Sequence, residues 1–511
     1  MSVFIFDLVV GYAPGGLEHA QGYRALALKD FSYPVKFVFT ELPGRKEISL
    51  YKTLGMDVKQ MLSMHRFFTD NSTLEVTVKT DDKLIELKNS LNYTDVKYQD
   101  TEIMLIKDGF VIASILLEES DKEFCYAIHY YNRTRLIRTE FYATGLAYVD
   151  YYVTAKSDRG LYAKIARRTF YNHNGSVAYD QIFKGKEELY IFPNNRICTK
   201  SEFAAEFVKN LHLSEKDIVF LDRGSQCDFV QPLFQFGKKA RFMTFFHSGH
   251  YYERGEDPHW GHLYFNWAYL YWFKYSNRID TMVVSTQGQK EELIKKLREY
   301  KRSVPKVEVI PVAGIDRLRY PESERKRCSL ITVSRINMRK KIDWIIRSVV
   351  KAHDKNPNIF IDIYGGDEYG YLQHLQSMVS ASHAQSYVKF MGHRDVTEIY
   401  KNYEVYISAS LWETLGLSLM EAVGSGTAMI GLDVKYGNHL FIRPGKNGYL
   451  IDYDRSYAEG DDSKLIDDMA EKIVEIFENK ERLNEFHEAS YKIAEEFSDG
   501  IIGTKWKRLF S

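Results

Sequence analysis

The run Leu411-Trp412-Glu413-Thr414-Leu415-Gly416-Leu417-Ser418-Leu419-Met420-Glu421-Ala422 sets two carboxylates eight residues apart around a glycine. It reads as a loop running into a helix, just after an apolar run at 405–409 that has the character of a buried strand. At about 1.5 Å of rise per residue the two acids stand about 12 Å apart along the axis. That is about the span from a sugar ring to the ribose of a nucleotide-sugar. Between them, the free N–H groups of a helix start suit a diphosphate, and a carboxylate at each end can accept hydrogen bonds from sugar hydroxyls. The same spacing also fits an ordinary amphipathic helix carrying two solvated acids.

Reading outward from this stretch, apolar runs at 329–333, 359–364, 388–391, 405–409 and 428–432 alternate with amphipathic stretches such as 343–352, an α/β series that starts after Pro321. The N-terminus opens in the same manner: a strand at 3–10, a glycine turn at 11–16, a helix at 17–28 and a strand at 35–40. Between about 45 and 195 the pattern changes to short alternating runs (74–79, 102–107, 110–117, 124–131, 135–142, 148–154, 189–192). Asp, Gly and Asn turns separate them, which predicts a largely antiparallel β insert. Asn172-His173-Asn174-Gly175 is the expected hairpin turn between 166–170 and 177–179. From about 200 buried-type strands return at 218–221, 242–246, 281–285 and 307–311. Two doubly wound halves joined near 315–325, the first interrupted by the insert, follow from this order.

The 511 residues suffice for two or three domains, and 45% hydrophobic with 27% charged residues describes an ordinary globular protein. Lys and Arg (69) balance Asp and Glu (69), so no global field draws the chain to nucleic acid. Cys125, Cys198, Cys227 and Cys328 lack metal or redox spacing, which favours a reducing compartment. The first strand carries Asp7 and no basic leader, and no apolar run reaches 18 residues. A cytoplasmic protein without a membrane span is expected, with membrane contact at most peripheral.

A second chemical signal is Ser334-Arg335-Ile336-Asn337-Met338-Arg339-Lys340-Lys341, directly after the 329–333 strand. Arg335 and Lys340 leave the carboxyl end of that strand together, where a guanidinium and an ammonium suit a pyrophosphate leaving group. A solvated basic loop is the plainer alternative. Gly15-Gly16, followed by Glu18 and His19, could bring backbone close to a phosphate or simply make a tight turn. His247 follows the 242–246 strand. His247, His250, His259 and His262 fit no closed zinc spacing, so no metal is expected. The Asp452-Tyr453-Asp454 match to an acidic metal-binding triplet is too short to carry weight, and neither a G-x-S-x-G nor a GxxxxGK[ST] string is present.

Gly15-Gly16, His247, Arg335, Lys340, Glu413, Gly416 and Glu421 occur in the order and approximate spacing of the retaining family 4 GT-B glycosyltransferases, which this chain resembles. Glu18 to Arg24, the β insert and Asp433-Val434-Lys435-Tyr436-Gly437-Asn438 look like one subgroup: catalytic subunits of the bacterial transferases that add N-acetylglucosamine to serine-rich repeat adhesins. The resemblance covers nearly the whole chain. It implies an α/β GT-B fold in which two Rossmann-like domains face a cleft. Residues 1–44 with 196–318 would form the acceptor-side domain, 45–195 the insert for partner and acceptor, and 319–490 the nucleotide-sugar domain. A C-terminal helix at 491–511 would pack back on the N-terminal domain. Arg335 and Lys340 would hold the UDP phosphates, Glu413 the donor sugar's hydroxyls and Glu421 the ribose. Leu415, Gly416 and Leu417 would lie by the diphosphate and sugar with Gly15 and Gly16 opposite, His247 near the transferring carbon, and His393 at the uracil. No metal or other cofactor is implied, since Arg and Lys stabilise the charge. A non-catalytic GT-B partner subunit and a serine-rich polypeptide acceptor are implied as well.

Two positions depart from the family pattern. Thr414-Leu415 stands where Gly-Phe is usual, and Arg339 where an acid is frequent. Both bear on the sugar, N-acetylglucosamine or glucose. Transfer to a wall-teichoic polyol phosphate and a non-catalytic scaffold subunit are the other readings. The joint presence of Arg335, Lys340, Glu413 and Glu421 speaks against the scaffold.

Overall fold

A computed structural model describes residues 1–7, 16–158, 160–222, 229–251 and 266–511. The chain divides into two compact units. The first holds Met1–Glu18, Phe31–Phe245 and Trp267–Asp280; the second holds His19–Asp30, Phe246–Asn266 and Thr281–Ser511.

In the first unit Val3–Asp7 pairs in parallel with both Ile218–Leu221 and Val35–Phe39. Arg241–Phe245 and Met61–Ser63 extend the order on either side. Val3, Ile5 and Phe6 are buried, as a strand covered on both faces requires. The insert is a ten-stranded antiparallel sheet from Asp95–Tyr98 to Ile197–Thr199 in which every strand pairs with its neighbour in sequence. The expected hairpin is present and longer than its turn suggested: Gly160–Tyr171 pairs with Val177–Lys184, Phe170 opposite Tyr179.

The run at 74–79 is not a strand. Its backbone is divided between two partners, Thr77 donating to Ala143 and Val78 accepting from Cys125, so no ladder forms beyond a single bridge between Lys79 and Phe124. A helix the alternating pattern does not announce, Thr80–Leu91, follows it. Its Leu87 enters the core with Ile103, Leu105, Ile115 and Tyr130. Cys125, Cys198 and Cys328 are free and buried, and Cys227 lies outside the described residues.

In the second unit a six-stranded parallel sheet runs Val388–Gly392, Phe360–Tyr364, Lys326–Val333, Tyr403–Ser408, Ala428–Leu432, Gly448–Ile451. The chain starts at Lys326–Val333, moves outward to one edge, then returns to Tyr403–Ser408 and moves outward to the other. The switch point therefore lies between these two adjacent strands, and the crevice beyond their carboxyl ends is where open α/β sheets bind ligands. Ile342–Lys355 covers the sheet because Ile342, Ile345, Ile346, Val349 and Ala352 recur at helical spacing, and all are buried. Ser463–Glu478 packs beside it with Leu465, Ile466, Met469 and Ile473.

The same unit contains the parallel pair Thr281–Val284 and Lys306–Val309, linked by the helix Gln287–Glu299. Thr286 caps that helix by accepting from the Gln289 amide. At the carboxyl terminus the helix Lys480–Glu495 gives way at Glu496–Ser498 to a separate helix, Asp499–Phe510. Phe497 and Asp499 bond to the backbone of Ile315 at 2.8 and 2.9 Å. Trp506 donates its indole N–H to Pro311 (3.2 Å), with the Arg24 guanidinium 4.6 Å from its ring centre. No helix among the described residues is long and apolar enough to cross a membrane.

Candidate functional site

The two motif loops emerge side by side at the switch point. Residues 334–341 follow Lys326–Val333, and 409–416 follow Tyr403–Ser408. Leu411 donates to the Arg339 carbonyl at 3.2 Å, which ties one loop to the other. Lys340 Nζ donates to Glu413 Oε1 at 2.5 Å, both side chains being mostly covered (21% and 14% exposed). A charge-assisted bond in such a setting is stronger than one at the surface, because less water screens it. The basic loop and the first acid are thus brought into direct contact.

Arg335 is placed differently. It points outward, 71% exposed, and pairs with Glu368 at 3.0 Å, while Asn337 Nδ2 donates to the other oxygen of Glu368 at 2.6 Å. Arg335 and Lys340 therefore rest on two different carboxylates. The loop holding Glu368 is fixed by backbone bonds between Ile336 and Gly366 (2.8 Å) and between Glu368 and Ile336 (3.0 Å). Gly365 has φ +150°, and a Cβ there would stand 1.8 Å from the Ser334 carbonyl oxygen, so only glycine allows this close approach. His393 is exposed just beyond Val388–Gly392, its Cβ facing Gly366.

The helix begins later than the spacing of the two acids suggested. Only Leu417–Gly424 is helical, and Glu413 sits four residues before it, in a bridge with Tyr436. The helical rise thus applies from Leu417 to Glu421 and not to the whole interval. Gly416 is the N-cap at φ +83°, a conformation that costs glycine little. No side chain caps this end, which leaves the first N–H groups of the helix available. Leu415 is buried and Leu417 half-buried.

Glu421 is partly covered and accepts from Tyr400 Oη at 3.0 Å. Burial pushes its carboxyl up from 4.5 to about 7, opposed by the Tyr400 hydrogen bond and the Arg319 charge and assisted by Asp395. At neutral pH it is divided between carboxylate and acid.

His247 follows Phe246, whose amide donates to Val283 at 3.0 Å. Gln289 Nε2 donates to the Ser248 carbonyl at 3.2 Å, and Gly249 packs on the indole of Trp412, where an added Cβ would meet the ring at 2.7 Å. The His247 loop therefore abuts the residue preceding Glu413. Gly16 opens the helix Gly16–Ala27; Gly15 lies outside the described residues, as do His259 and His262. Among the described residues no group of three or more His, Cys, Asp or Glu is arranged to hold a metal ion.

Glu368, Tyr400 and Glu292, the last accepting from Lys435 Nζ (3.0 Å) and Tyr436 Oη (2.7 Å), are additions that no local motif announced. Glu368 meets Arg335 and Asn337, and Tyr400 meets Glu421, only once the sheet is formed, and Glu292 lies over 120 residues before Glu413. The one sequence signal was Lys435-Tyr436, inside a stretch matched to the subgroup without a role.

A parallel sheet with its switch point at a basic loop and an acid-flanked helix start has the form of the ligand-binding half of an open α/β protein. Accordingly, residues 320–493 match the family model of group 1 glycosyl transferases, and residues 95–194 match that of the GtfA extended beta-sheet domain. The chain is 33% identical over 512 residues to the UDP-N-acetylglucosamine–peptide N-acetylglucosaminyltransferase GtfA subunit of Streptococcus gordonii, covering 100% of this chain and 98% of that protein. The crystal structure of the pneumococcal O-GlcNAc transferase GtfA in complex with UDP and GlcNAc superimposes with a TM-score of 0.85 at 31% identity, over 100% of this chain and 98% of that one. A GtfA/B complex gives the same TM-score and identity, over 100% and 99%. The protein belongs to the GtfA-subunit family of bacterial glycosyltransferases and has their GT-B fold.

Proposed function

We propose that this chain is the catalytic subunit of a protein O-glycosyltransferase that moves N-acetylglucosamine from UDP-N-acetylglucosamine to Ser or Thr hydroxyls of a serine-rich polypeptide, with retention of configuration. The observation that carries the reading is the Lys340–Glu413 pair, 2.5 Å apart before an uncapped helix start at the switch point of a parallel sheet. The family's named activity supports the choice of donor. The retaining family 4 class, the cleft between two Rossmann-like domains and independence from metal belong to the same proposal.

In this reading the diphosphate lies against the N–H groups that follow Gly416, with Arg335 and Lys340 neutralising charge as UDP departs. Glu413, held in place by Lys340, accepts from the sugar hydroxyls; Glu421 in its carboxylate form accepts from the ribose. His393 serves the uracil, His247 stands near the transferring carbon, and Gly15 and Gly16 approach the phosphates. The bond from the anomeric carbon to the phosphate oxygen breaks, and the new bond to the acceptor oxygen forms on the same face. The hydroxyl proton passes to the departing phosphate. The β insert binds a second, non-catalytic GT-B subunit and the extended acceptor, and the complex works in the cytoplasm, at most touching the inner membrane surface.

The test is UDP release and acceptor mass gain in the presence of a chelator. UDP-N-acetylglucosamine is compared with UDP-glucose on a Ser/Thr-rich polypeptide, with and without the partner subunit. Transfer from UDP-N-acetylglucosamine, abolished by Glu413→Gln with UDP binding retained, is the expected result. Transfer from UDP-glucose alone refutes the donor assignment, and unchanged transfer by Glu413→Gln refutes the role of Glu413.

A further inference from the structure

Glu413 does not hold its own position. Its backbone is bracketed by residues 435–437: its amide donates to the Lys435 carbonyl at 3.2 Å, and its carbonyl accepts from the amides of Tyr436 (2.6 Å) and Gly437 (2.7 Å). The bracket is in turn anchored by its side chains. Lys435 Nζ donates to Glu292 Oε1 at 3.0 Å, and Tyr436 Oη donates to Glu292 Oε2 at 2.7 Å. Tyr251 Oη also donates to Glu292 Oε1 and lies 3.3 Å from Lys435 Nζ.

One carboxylate thus receives three donors, two of them from the segment that clamps Glu413. Glu292 is 18% exposed and stands on the helix Gln287–Glu299, whose Gly288 packs against the Tyr436 ring. Trp412 completes the frame, edge-on to Tyr436 at 5.4 Å between ring centres. Burial raises the Glu292 carboxyl's pKa, but the bonds from Tyr251, Tyr436 and Lys435 outweigh it and hold the group below the usual carboxylate range. It is an anion throughout the neutral range.

We infer that Glu292 is a positioning residue for the transfer: by fixing Lys435 and Tyr436 it sets the backbone bracket that aims Glu413. The inference rests on the proposed role of Glu413 and deepens it, since Glu292 reaches Glu413 by way of Lys435 and Tyr436. A reacting group displaced by about 1 Å loses up to a hundredfold in rate, whereas nucleotide affinity, supplied by other contacts, does not follow.

The experiment uses the full chain with its partner subunit and three variants: Glu292→Gln, Glu292→Asp and Glu413→Gln. For each, kcat, the UDP dissociation constant by calorimetry, and amide hydrogen exchange over 411–417 and 434–438 are measured. Glu292→Gln preserves the shape and removes the charge. The expected result is a kcat at least tenfold down, a UDP dissociation constant within twofold of wild type, and at least tenfold faster exchange in the two segments with 342–355 unchanged. Glu292→Asp, which keeps the charge, recovers part of the rate.

Unaltered exchange in Glu292→Gln overturns the inference, as does faster exchange with an undiminished kcat. A parallel loss of UDP affinity and of protection in 342–355 also overturns it, because it marks a general structural role. If Glu413→Gln itself turns over normally, the reading of Glu413 fails and the inference falls with it; if Glu413→Gln is inactive and Glu292→Gln is not, only the inference falls.

Discussion

Glu421→Gln separates an effect on stability from an effect on binding, and both depend on pH. Burial raises the Glu421 carboxyl from 4.5 to about 7 in the folded protein. A carboxyl raised by folding is protonated in the native state while still ionised in the unfolded one, so its contribution is fully present below about 4.5 and is lost as pH rises through about 7. Over that interval of about 2.5 pH units, at about 1.4 kcal/mol each, the loss amounts to about 3 kcal/mol. Gln is neutral at every pH and carries no such loss. The variant should therefore match wild type near pH 4.5 and exceed it by about 3 kcal/mol at pH 8. For a transition of 150–250 residues this is a difference in melting temperature of roughly 6–12 °C. Subtracting variant from wild type at each pH cancels the opposite slopes of buried histidines such as His487, which burial lowers to about 4. The assay is thermal unfolding of the ligand-free chain at pH 5, 6, 7 and 8, with UDP titrations alongside. UDP affinity in wild type should rise through pH 7 as the ribose acceptor ionises, and Glu421→Gln should flatten that rise. A wild-type-minus-variant difference that stays constant from pH 5 to 8 refutes the argument.

Lys340→Ala removes the partner of Glu413 and the charge assigned to the leaving group. A loss of about 10²–10³-fold in kcat is expected by steady-state UDP release, as for other preorganised electrostatic contacts. Gly365→Ala drives a Cβ into the Ser334 carbonyl at a φ of +150°; the sheet should lose at least about 2 kcal/mol by urea unfolding, and UDP binding through Arg335 should weaken with it. Trp506→Ala empties a site 1% exposed, and a loss of about 3–5 kcal/mol should appear as early unfolding of the last helix in hydrogen exchange.

The amino-acid sequence by itself determined five of the six strands of the parallel sheet, all but the edge strand Gly448–Ile451, and the helix Ile342–Lys355. It also determined the hairpin at Asn172–Gly175 and the two chemical loops at 334–341 and 411–422, because each is written in short-range periodicity or turn chemistry. It did not determine where the helix after Glu413 begins: Gly416 takes φ +83° and the helix starts only at Leu417, with Leu415 and Leu419 buried on either side. Nor did alternation at 74–79 make a strand: a strand needs a neighbour, and its backbone was claimed by two separate ones. Tertiary structure alone decided which charges meet. Arg335 and Lys340, five residues apart, went to Glu368 and Glu413, and Glu421 acquired a pKa near 7 from burial beside Tyr400. Charge pairing and desolvation depend on distances through space between residues far apart in the chain, and those distances exist only once the parallel strands have been laid side by side.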